Sequence, residues 1–114
     1  MYSEGVGVEQ SDEKAFEWLL KAAELGDEDA QNDVGYMYQN GEGVEQSYEK
    51  AAEWYRKAAE QGDADAQCLL ANCYDLGDGV PEDKAEAAKW FKQAAALGHE
   101  RSAKILEKLQ KDGR

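Results

Sequence analysis

Apolar residues recur along this chain at the spacing of one face of an α-helix. Between residues 51 and 59 they stand at positions i, i+3, i+4, i+7 and i+8, and residues 15–23 and 87–95 repeat the pattern. This spacing predicts three equivalent amphipathic helices, here named helices B, the first over residues 12–25. Ser11, Ser47 and Asp83 are expected as their N-caps, and Gly26, Gly62 and Gly98 mark their ends.

A second kind of helix, helix A, is predicted to follow each helix B almost at once. Asp27 and Asp63 are the expected N-caps, and Gly41 and Gly77 the expected ends. Gly35 and Ala71 share one position, which predicts that two helix backbones approach closely there. The predicted buried residues are Ala30, Val34, Met37 and Tyr38 in one copy, and Ala66, Leu70, Cys73 and Tyr74 in the next.

These elements recur because the sequence itself is repeated. The copies begin at Gly5, Gly41 and Gly77, a period of 41 − 5 = 36 residues, and 21 of 36 positions are identical between 5–40 and 41–76. Such a period is typical of stacked tandem repeats. We therefore expect one domain over residues 1–114, with register 5–40, 41–76 and 77–112. Met1 and Tyr2 match Met37 and Tyr38, so the chain begins within a repeat and the helix order is B-A-B-A-B-A.

Two motifs within each copy resemble a known family. The pattern A-x-x-x-(L/V)-G-x-x-Y-x-x-G-x-G-V starts at Ala30, and K-A-x-x-W-x-x-K-A-A-x-x-G starts at Lys50. Together they resemble the Sel-one-like repeat family over essentially the whole chain. The resemblance implies an all-α, right-handed α/α solenoid of about three helix-pair repeats, related to the tetratricopeptide-like solenoids. It also implies that the protein functions as an adaptor or scaffold that binds protein partners, but it does not identify a particular partner.

The two ends of the array differ from its middle. The last helix A carries Glu107 at the close-packing position and Gln110 at the tyrosine position, which predicts a polar outer face and a C-terminal cap. At the other end no helix A precedes the first helix B, so Phe16, Trp18 and Leu19 are expected to be less covered. End-to-end self-association through this uncapped helix is a further expectation.

No pattern in the sequence assembles a catalytic or metal site. The Gly-x-Gly-Val loops lack the preceding strand and the third glycine of a dinucleotide fingerprint, and are better interpreted as helix ends and turns. His99 is the only histidine and stands at the N-cap position of a helix A, without a nucleophile or second ligand in a recognised spacing. We therefore expect no enzyme activity, no metal and no cofactor.

The cysteines and the N-terminal sequence indicate the cellular compartment in which we expect the protein. Cys68 and Cys73 lie five residues apart on one helix and cannot pair while it is intact. Family relatives with a disulfide in each repeat differ from this chain in that respect. Together with the lack of a visible signal peptide, this favours a reducing, cytoplasmic location.

The net charge and its distribution along the chain limit the classes of partner that we expect the protein to bind. The formal net charge is −12. Residues 1–100 hold 8 Lys/Arg and 23 Asp/Glu, which gives −15, and residues 101–114 hold 5 and 2, which gives +3. An acidic body is unsuited to nucleic acid and to anionic membranes, because both bind cationic surfaces. The expected partner is another protein or a peptide.

The family resemblance places one set of residues in a concave groove lined by helices A. This groove is expected to hold an extended peptide or loop of the partner, with an acidic segment or C-terminal carboxylate at the basic end. The alternative for the basic residues is that they complement the end of a helix and solvate a terminal cap. The groove residues are Asp29, Asn32, Tyr36 and Gln39, then Asp65, Cys68, Asn72 and Asp75, then Arg101, Lys104, Lys108 and Lys111.

A second hypothesis comes from the acidic body. An inhibitory, immunity-type or scaffold protein could mask a basic partner through the carboxylates of Glu17, Glu24, Glu53 and Glu60. The simpler interpretation of these carboxylates is that they keep the protein dispersed. Binding that weakens with salt favours masking, whereas binding that survives high salt favours the groove.

Overall fold

Six consecutive helices make up the part of the chain that the structure describes, as the alternating pattern predicts. The computed structural model describes the backbone of residues 4–112 and the side chains of residues 12–108. The helices are α1 (Glu4–Glu24), α2 (Glu28–Asn40), α3 (Tyr48–Glu60), α4 (Ala64–Leu76), α5 (Lys84–Ala96) and α6 (Glu100–Asp112). Helices α1, α3 and α5 are helices B, and α2, α4 and α6 are helices A. The predicted all-α solenoid of about three repeats is confirmed, with extents of 57 × 25 × 24 Å. None of the described helices is long and apolar enough to cross a bilayer.

Side-chain caps and left-handed glycines set the helix boundaries from α2 onward. The Asp63 carboxylate accepts the Ala66 backbone N–H at 3.1 Å, and the Ser47 hydroxyl accepts the Lys50 N–H at 3.2 Å. Gly77 closes α4 with φ of 72° and donates its N–H to the Cys73 carbonyl. These bonds satisfy amides and carbonyls that have no partner within the helix itself. The predicted caps at Asp27, Ser47, Asp63 and Asp83 and the ends at Gly41 and Gly77 are all confirmed.

The predicted start of the first helix is wrong. Ser11 is not an N-cap, because α1 begins at Glu4 and runs through residues that form a loop in the later copies. In those copies the loop is held by the helix A before it: the Tyr38 carbonyl accepts the Ser47 N–H at 2.8 Å, and the Tyr74 carbonyl accepts the Asp83 N–H at 2.9 Å. Within the described residues no helix A precedes α1. Helical hydrogen bonds within α1 satisfy the same amides instead.

A tyrosine ring, and not only a second backbone, explains the small residue at position 35. A Cβ built on Gly35 would lie 2.6 Å from Cε1 of Tyr55 and 3.2 Å from the Ala51 carbonyl oxygen. Tyr55 is completely buried, and its hydroxyl donates to Oε1 of Gln39 at 2.9 Å. The prediction of close packing at this position is correct, and its cause is chiefly the ring that α3 lays across α2.

Neighbouring repeats touch through the second glycine of each Gly-x-Gly-Val loop. A Cβ on Gly79 would lie 2.2 Å from the Tyr48 carbonyl oxygen, and one on Gly43 would lie 2.2 Å from the Asp12 carbonyl oxygen. Both glycines have positive φ, 76° and 71°. The loop that opens one repeat therefore rests directly on the backbone of the preceding helix B, at the first residue of α3 and within α1, where only a hydrogen fits.

Replacing Gly79 should therefore cost more stability than replacing a glycine that is strained but uncrowded. Gly62 is the matched control, because its φ is 99° and a Cβ added there would meet nothing within 4 Å. We expect Gly62→Ala to lower the free energy of unfolding by about 1–2 kcal/mol through its backbone conformation alone. Gly79→Ala should lose a further amount of about 1–3 kcal/mol from overpacking. Urea titrations of both variants measure the difference, and equal losses would contradict the contact.

Buried glutamines tie two of the helices A, α2 and α4, to the helix B before each of them. Nε2 of Gln31 donates to the Ala23 carbonyl at 3.0 Å, and Nε2 of Gln67 donates to the Ala59 carbonyl at 3.1 Å. The Oε1 atom of Gln31 accepts from Nε2 of Gln61, one repeat further along, at 2.7 Å. Leu97 occupies the position of Gln61 in the third copy, and Oε1 of Gln67 is buried with no partner among the described residues. One hydrogen bond of the repeat is thus missing in the last copy.

Leu97→Gln should restore that bond and stabilise the protein. We expect a gain of about 1 kcal/mol in the free energy of unfolding, since a buried acceptor regains its donor. Leu25→Gln is the matched control, because Leu25 stands at the same repeat position, is exposed, and has no preceding helix A to meet among the described residues. A gain in both variants, or in neither, on chemical denaturation would mean that the missing bond is not the cause.

Candidate functional site

Side chains from all three helices A meet in one shallow pocket. Its volume is about 220 Å³, and α2, α4 and α6 or the turn before it each contribute to the lining. Four of the predicted groove residues are brought together here. We use the name A-helix face for this pocket together with the exposed side chains of α2, α4 and α6 around it. The lining residues are Asn32, Asp65, Cys68, Leu69, His99 and Arg101.

His99 is the pocket residue that sequence reasoning did not include in the groove. Its Nδ1 atom accepts the Ser102 backbone N–H at 3.1 Å, so it caps α6 as predicted. Its Nε2 atom lies 2.9 Å from Oδ1 of Asp65. Because a backbone amide can only donate, Nδ1 is unprotonated and the ring hydrogen sits on Nε2, pointing at the carboxylate.

A sequence signal for this contact exists in the repeat register. The N-cap position of helix A holds Asp27, Asp63 and His99. Oδ2 of Asp63 accepts from Nδ2 of Asn32 at 3.2 Å, just as His99 reaches back to Asp65. Each of these two N-cap residues therefore contacts the helix A before it, and position 99 belongs to the A-helix face as much as to its own helix.

The acidic end of this face holds crowded negative charge. Burial raises the pKa of the Asp63 carboxyl, the nearby carboxylates of Asp65 and Glu28 add to the rise, and the hydrogen bond from the Ala66 N–H opposes it. Oδ1 of Asn32 beside it is buried and has no hydrogen-bond partner among the described residues. The pocket thus offers an unused acceptor at the end where a further anion is disfavoured.

Several predicted groove residues are already engaged or buried. Oε1 of Gln39 accepts the Tyr55 hydroxyl, and the Asp75 carboxylate pairs with Nζ of Lys84 at 2.9 Å. Cys68 is only 2% exposed, so it forms a wall of the pocket and presents almost no surface to a ligand. Asn72 is half-buried. These residues position the face more than they can contact a partner.

The remaining predicted residues lie open. Asp29 and Tyr36 are exposed on α2, and Arg101, Lys104 and Lys108 are exposed on α6. The side chain of Lys111 lies outside the described residues. Among the side chains of residues 12–108, the three basic ones form no ion pair with a carboxylate. The carboxylates of the masking hypothesis, on Glu17, Glu24, Glu53 and Glu60, are exposed as well.

The groups that line this pocket are mainly hydrogen-bonding and charged side chains. No group of three or more His, Cys, Asp or Glu side chains converges as a metal site within residues 12–108. Cys68 and Cys73 are free and buried, and burial raises the pKa of the Cys73 thiol to about 11, so it stays protonated at neutral pH.

Comparison with known proteins identifies the repeat. The family model described as Sel1 repeat matches residues 1–27, 28–63 and 64–99. The second and third units begin at helix A, and their starts at 28 and 64 are again 64 − 28 = 36 residues apart. The chain belongs to the Sel1 repeat family. Among curated proteins no relative matches it.

Solved structures of other Sel1 repeat proteins superpose closely on this one. The Sel1 repeat protein from Oxalobacter formigenes matches with a TM-score of 0.85 and 36% identity, over 96% of this chain and 46% of that one. The protective antigen c5321 of uropathogenic Escherichia coli, which displays an SLR fold, matches with a TM-score of 0.87 and 36% identity, over 89% of this chain and 22% of that one. The present chain therefore spans less than half the length of either protein.

A third similar structure is of a protein described as cysteine rich. Cysteine rich protein B of Helicobacter pylori matches with a TM-score of 0.77 and 35% identity, over 80% of this chain and 68% of that one. The present chain has two cysteines, both free. The repeat is therefore held together here by packing and hydrogen bonds.

The double role of His99 can be tested by its tautomer and by substitution. Long-range proton–nitrogen NMR correlations at neutral pH should show the hydrogen on Nε2, because Nδ1 caps the helix. His99→Ala should lower the free energy of unfolding by about 1 kcal/mol, whereas His99→Asn should keep most of it, because asparagine is a good N-cap. A hydrogen on Nδ1, or equal losses in both variants, would contradict the cap.

Proposed function

We propose that this Sel1 repeat chain binds an extended peptide or loop of a partner protein along its A-helix face. Sel1 repeat proteins generally mediate protein–protein interaction, and the present proposal assigns that role to one surface. The observation that carries it is the pocket in which Asn32, Asp65, His99 and Arg101 converge from successive helices A. A site built across three repeats suits a ligand that runs along the stack.

The charges along this face support one orientation of the ligand. At one repeat position the residues are Asp29, Asp65 and Arg101, so the sign changes from acidic to basic between α4 and α6. The acidic segment or C-terminal carboxylate of the ligand would lie against α6, near Lys104 and Lys108. A neutral or basic segment would lie against α2, where the charge is already crowded.

The pocket between these ends would take a polar group of the peptide backbone. Oδ1 of Asn32 can accept a peptide N–H, since within the described residues it has no partner. The guanidinium of Arg101 can donate to a carbonyl or carboxylate. Tyr36, which is 51% exposed, adds an aromatic surface on the same helix as Asn32.

The masking hypothesis remains a second candidate and predicts a different dependence of binding affinity on salt concentration. Its carboxylates are spread over the exposed surfaces of α1 and α3, and the two on α3, Glu53 and Glu60, line a groove together with the cations of Arg56 and Lys57. Binding by such dispersed charges should weaken steeply as salt rises. A ligand seated in the A-helix pocket should lose only part of its affinity.

The test begins with a random peptide library displayed with free C-termini and selected on the immobilised chain. We expect selected sequences to end in a carboxyl-terminal acidic stretch. Their affinity, measured by fluorescence anisotropy, should fall by roughly tenfold in Lys104→Glu/Lys108→Glu, because two attractive charges become repulsive. Lys14→Glu/Lys21→Glu is the matched control, with the same charge change on exposed positions of α1, and should change affinity little.

The contrary results are distinct from one another. Equal affinity for both double variants would remove the basic end of the A-helix face from the site. Selection of basic peptides whose binding disappears at high salt would replace the proposal with masking by the acidic body. Circular dichroism of each variant keeps loss of folding apart from loss of binding.

A further inference from the structure

One position of helix A differs in chemistry between the repeats. It holds Asp33 on α2, Leu69 on α4 and Ile105 on α6, which are 69 − 33 = 36 and 105 − 69 = 36 residues apart. Leu69 and Ile105 are partly buried and pack against the core of the later repeats, whereas Asp33 is exposed. The groove residues predicted from the sequence do not include this position. We call it the variable position.

Leu69 shows that the variable position contributes to the A-helix face. It lines the pocket between α4 and α6, beside Asp65, His99 and Arg101. Cys68, the other apolar member of the pocket, is almost completely buried, so Leu69 supplies the apolar surface that remains open. Burial of an apolar side chain of the ligand against this surface would be favourable.

The corresponding place one repeat earlier holds carboxylates. Partial burial raises the pKa of the Asp33 carboxyl, and the nearby carboxylates of Asp29 and Asp27 raise it further. Burial also raises the pKa of the Asp63 carboxyl on α4, and Asp29 adds to that rise. The carboxylates of α2 and α4 therefore lie close enough to repel one another. In the repeat register Asp29, Asp33 and Asp63 stand at the positions of Asp65, Leu69 and His99.

This negative charge is not compensated among the side chains of residues 12–108. No Lys or Arg there forms an ion pair with Asp29, Asp33 or Asp63, and the carboxylates do not converge as a metal site. Leucine at position 33, as in the next copy, would avoid the repulsion, so the aspartate is locally unfavourable. Departures of this kind are expected where a ligand binds. A long, flexible Lys or Arg side chain of the ligand would supply the cation.

The acidic and the apolar place both lie between helices that the chain itself contains. Side chains of α2 and α4 meet in the hydrogen bond between Asn32 and Asp63, and those of α4 and α6 meet in the contact between His99 and Asp65. Successive helices A are therefore about 10 Å apart, the usual separation of packed helices. An extended peptide advances about 3.3 Å per residue, so about three residues of the ligand span one repeat.

We propose that the A-helix face selects a peptide in which a Lys or Arg pairs with Asp33, an apolar side chain about three residues later packs on Leu69, and an acidic carboxyl end lies against α6. This inference rests on the proposed function and adds the order of side chains along the ligand. Asp33 and Leu69 are then the residues that determine specificity.

Two synthetic peptides of identical composition test this order. The matching peptide is Gly-Lys-Ser-Gly-Leu-Ser-Gly-Glu, and in the exchanged peptide the lysine and the leucine are interchanged. Both carry an N-terminal fluorophore and a free C-terminal carboxylate. We expect fluorescence anisotropy to show roughly fivefold tighter binding of the matching peptide by the unmodified chain, because one charge pair is gained.

Exchanging the residues at the variable position should exchange the preference. Asp33→Leu should abolish the preference for the matching peptide, and Asp33→Leu/Leu69→Asp should reverse it, because the acidic place then lies one repeat closer to α6. Glu53→Leu is the matched control, since it makes the same charge change at an exposed position of α3, and it should keep the preference. Circular dichroism identifies any variant that fails to fold. Because Asp33→Leu removes a repelled carboxylate, we expect that variant to fold.

Different results would overturn the inference alone or together with the proposed function. Equal affinity of the unmodified chain for the two peptides would overturn the inference, and so would a preference that survives in folded Asp33→Leu as it does in Glu53→Leu. Library peptides that end in an acidic stretch but carry no basic residue before it would do the same, while leaving the proposed function in place. A library selection that yields no peptide, with neither synthetic peptide bound, would overturn both.

Discussion

The architecture depends on a backbone contact between repeats. Where the second loop glycine rests on the backbone of the preceding helix B, at Gly43 on Asp12 and at Gly79 on Tyr48, the spacing of the stack is set by atoms that cannot move aside. Side chains adapt to substitution by changing rotamer, but carbonyl oxygens of a helix backbone do not. The same spacing brings each helix A within reach of the next, so that Asp63 meets Asn32 and His99 meets Asp65. The pocket on the A-helix face is a consequence of that spacing.

Local chemistry explains how much of this could be predicted. The helices, their order and most of their caps follow from periodicity, Asp and Ser caps and glycines, because those signals act within a few residues. The start of α1 could not be predicted by analogy with Ser47, since the loop of the later copies is held by a carbonyl of another helix. The ring of Tyr55 beneath Gly35 is likewise a contact between elements. A small residue in the sequence indicates that another group packs closely against it, but it does not identify that group.

The same limit applies to the site. The repeat register makes Asn32 equivalent to Cys68 and Asp65 equivalent to Arg101, and these four residues line one pocket. It did not foresee that Cys68 is buried, that Asp75 is held by Lys84, or that His99 serves two helices at once. Those facts depend on side-chain conformations and on partners from the adjoining repeat. Neither can be derived from the position of a residue within its repeat. The two pocket residues that the predicted groove set left out are Leu69 and His99.

The packing of these helices runs mainly between elements that are consecutive in the chain. A topology of this kind closes no long loops during folding, and each new helix pair finds its surface already formed by the one before. The number of repeats can therefore change without a change in the fold. Since Asn40 and Leu76 both lead into Gly-x-Gly-Val loops at the same register, a whole repeat is the natural unit by which such a chain can grow or shrink. Through duplication or loss of that unit, a lineage can change the reach of its binding surface while every internal contact keeps its geometry.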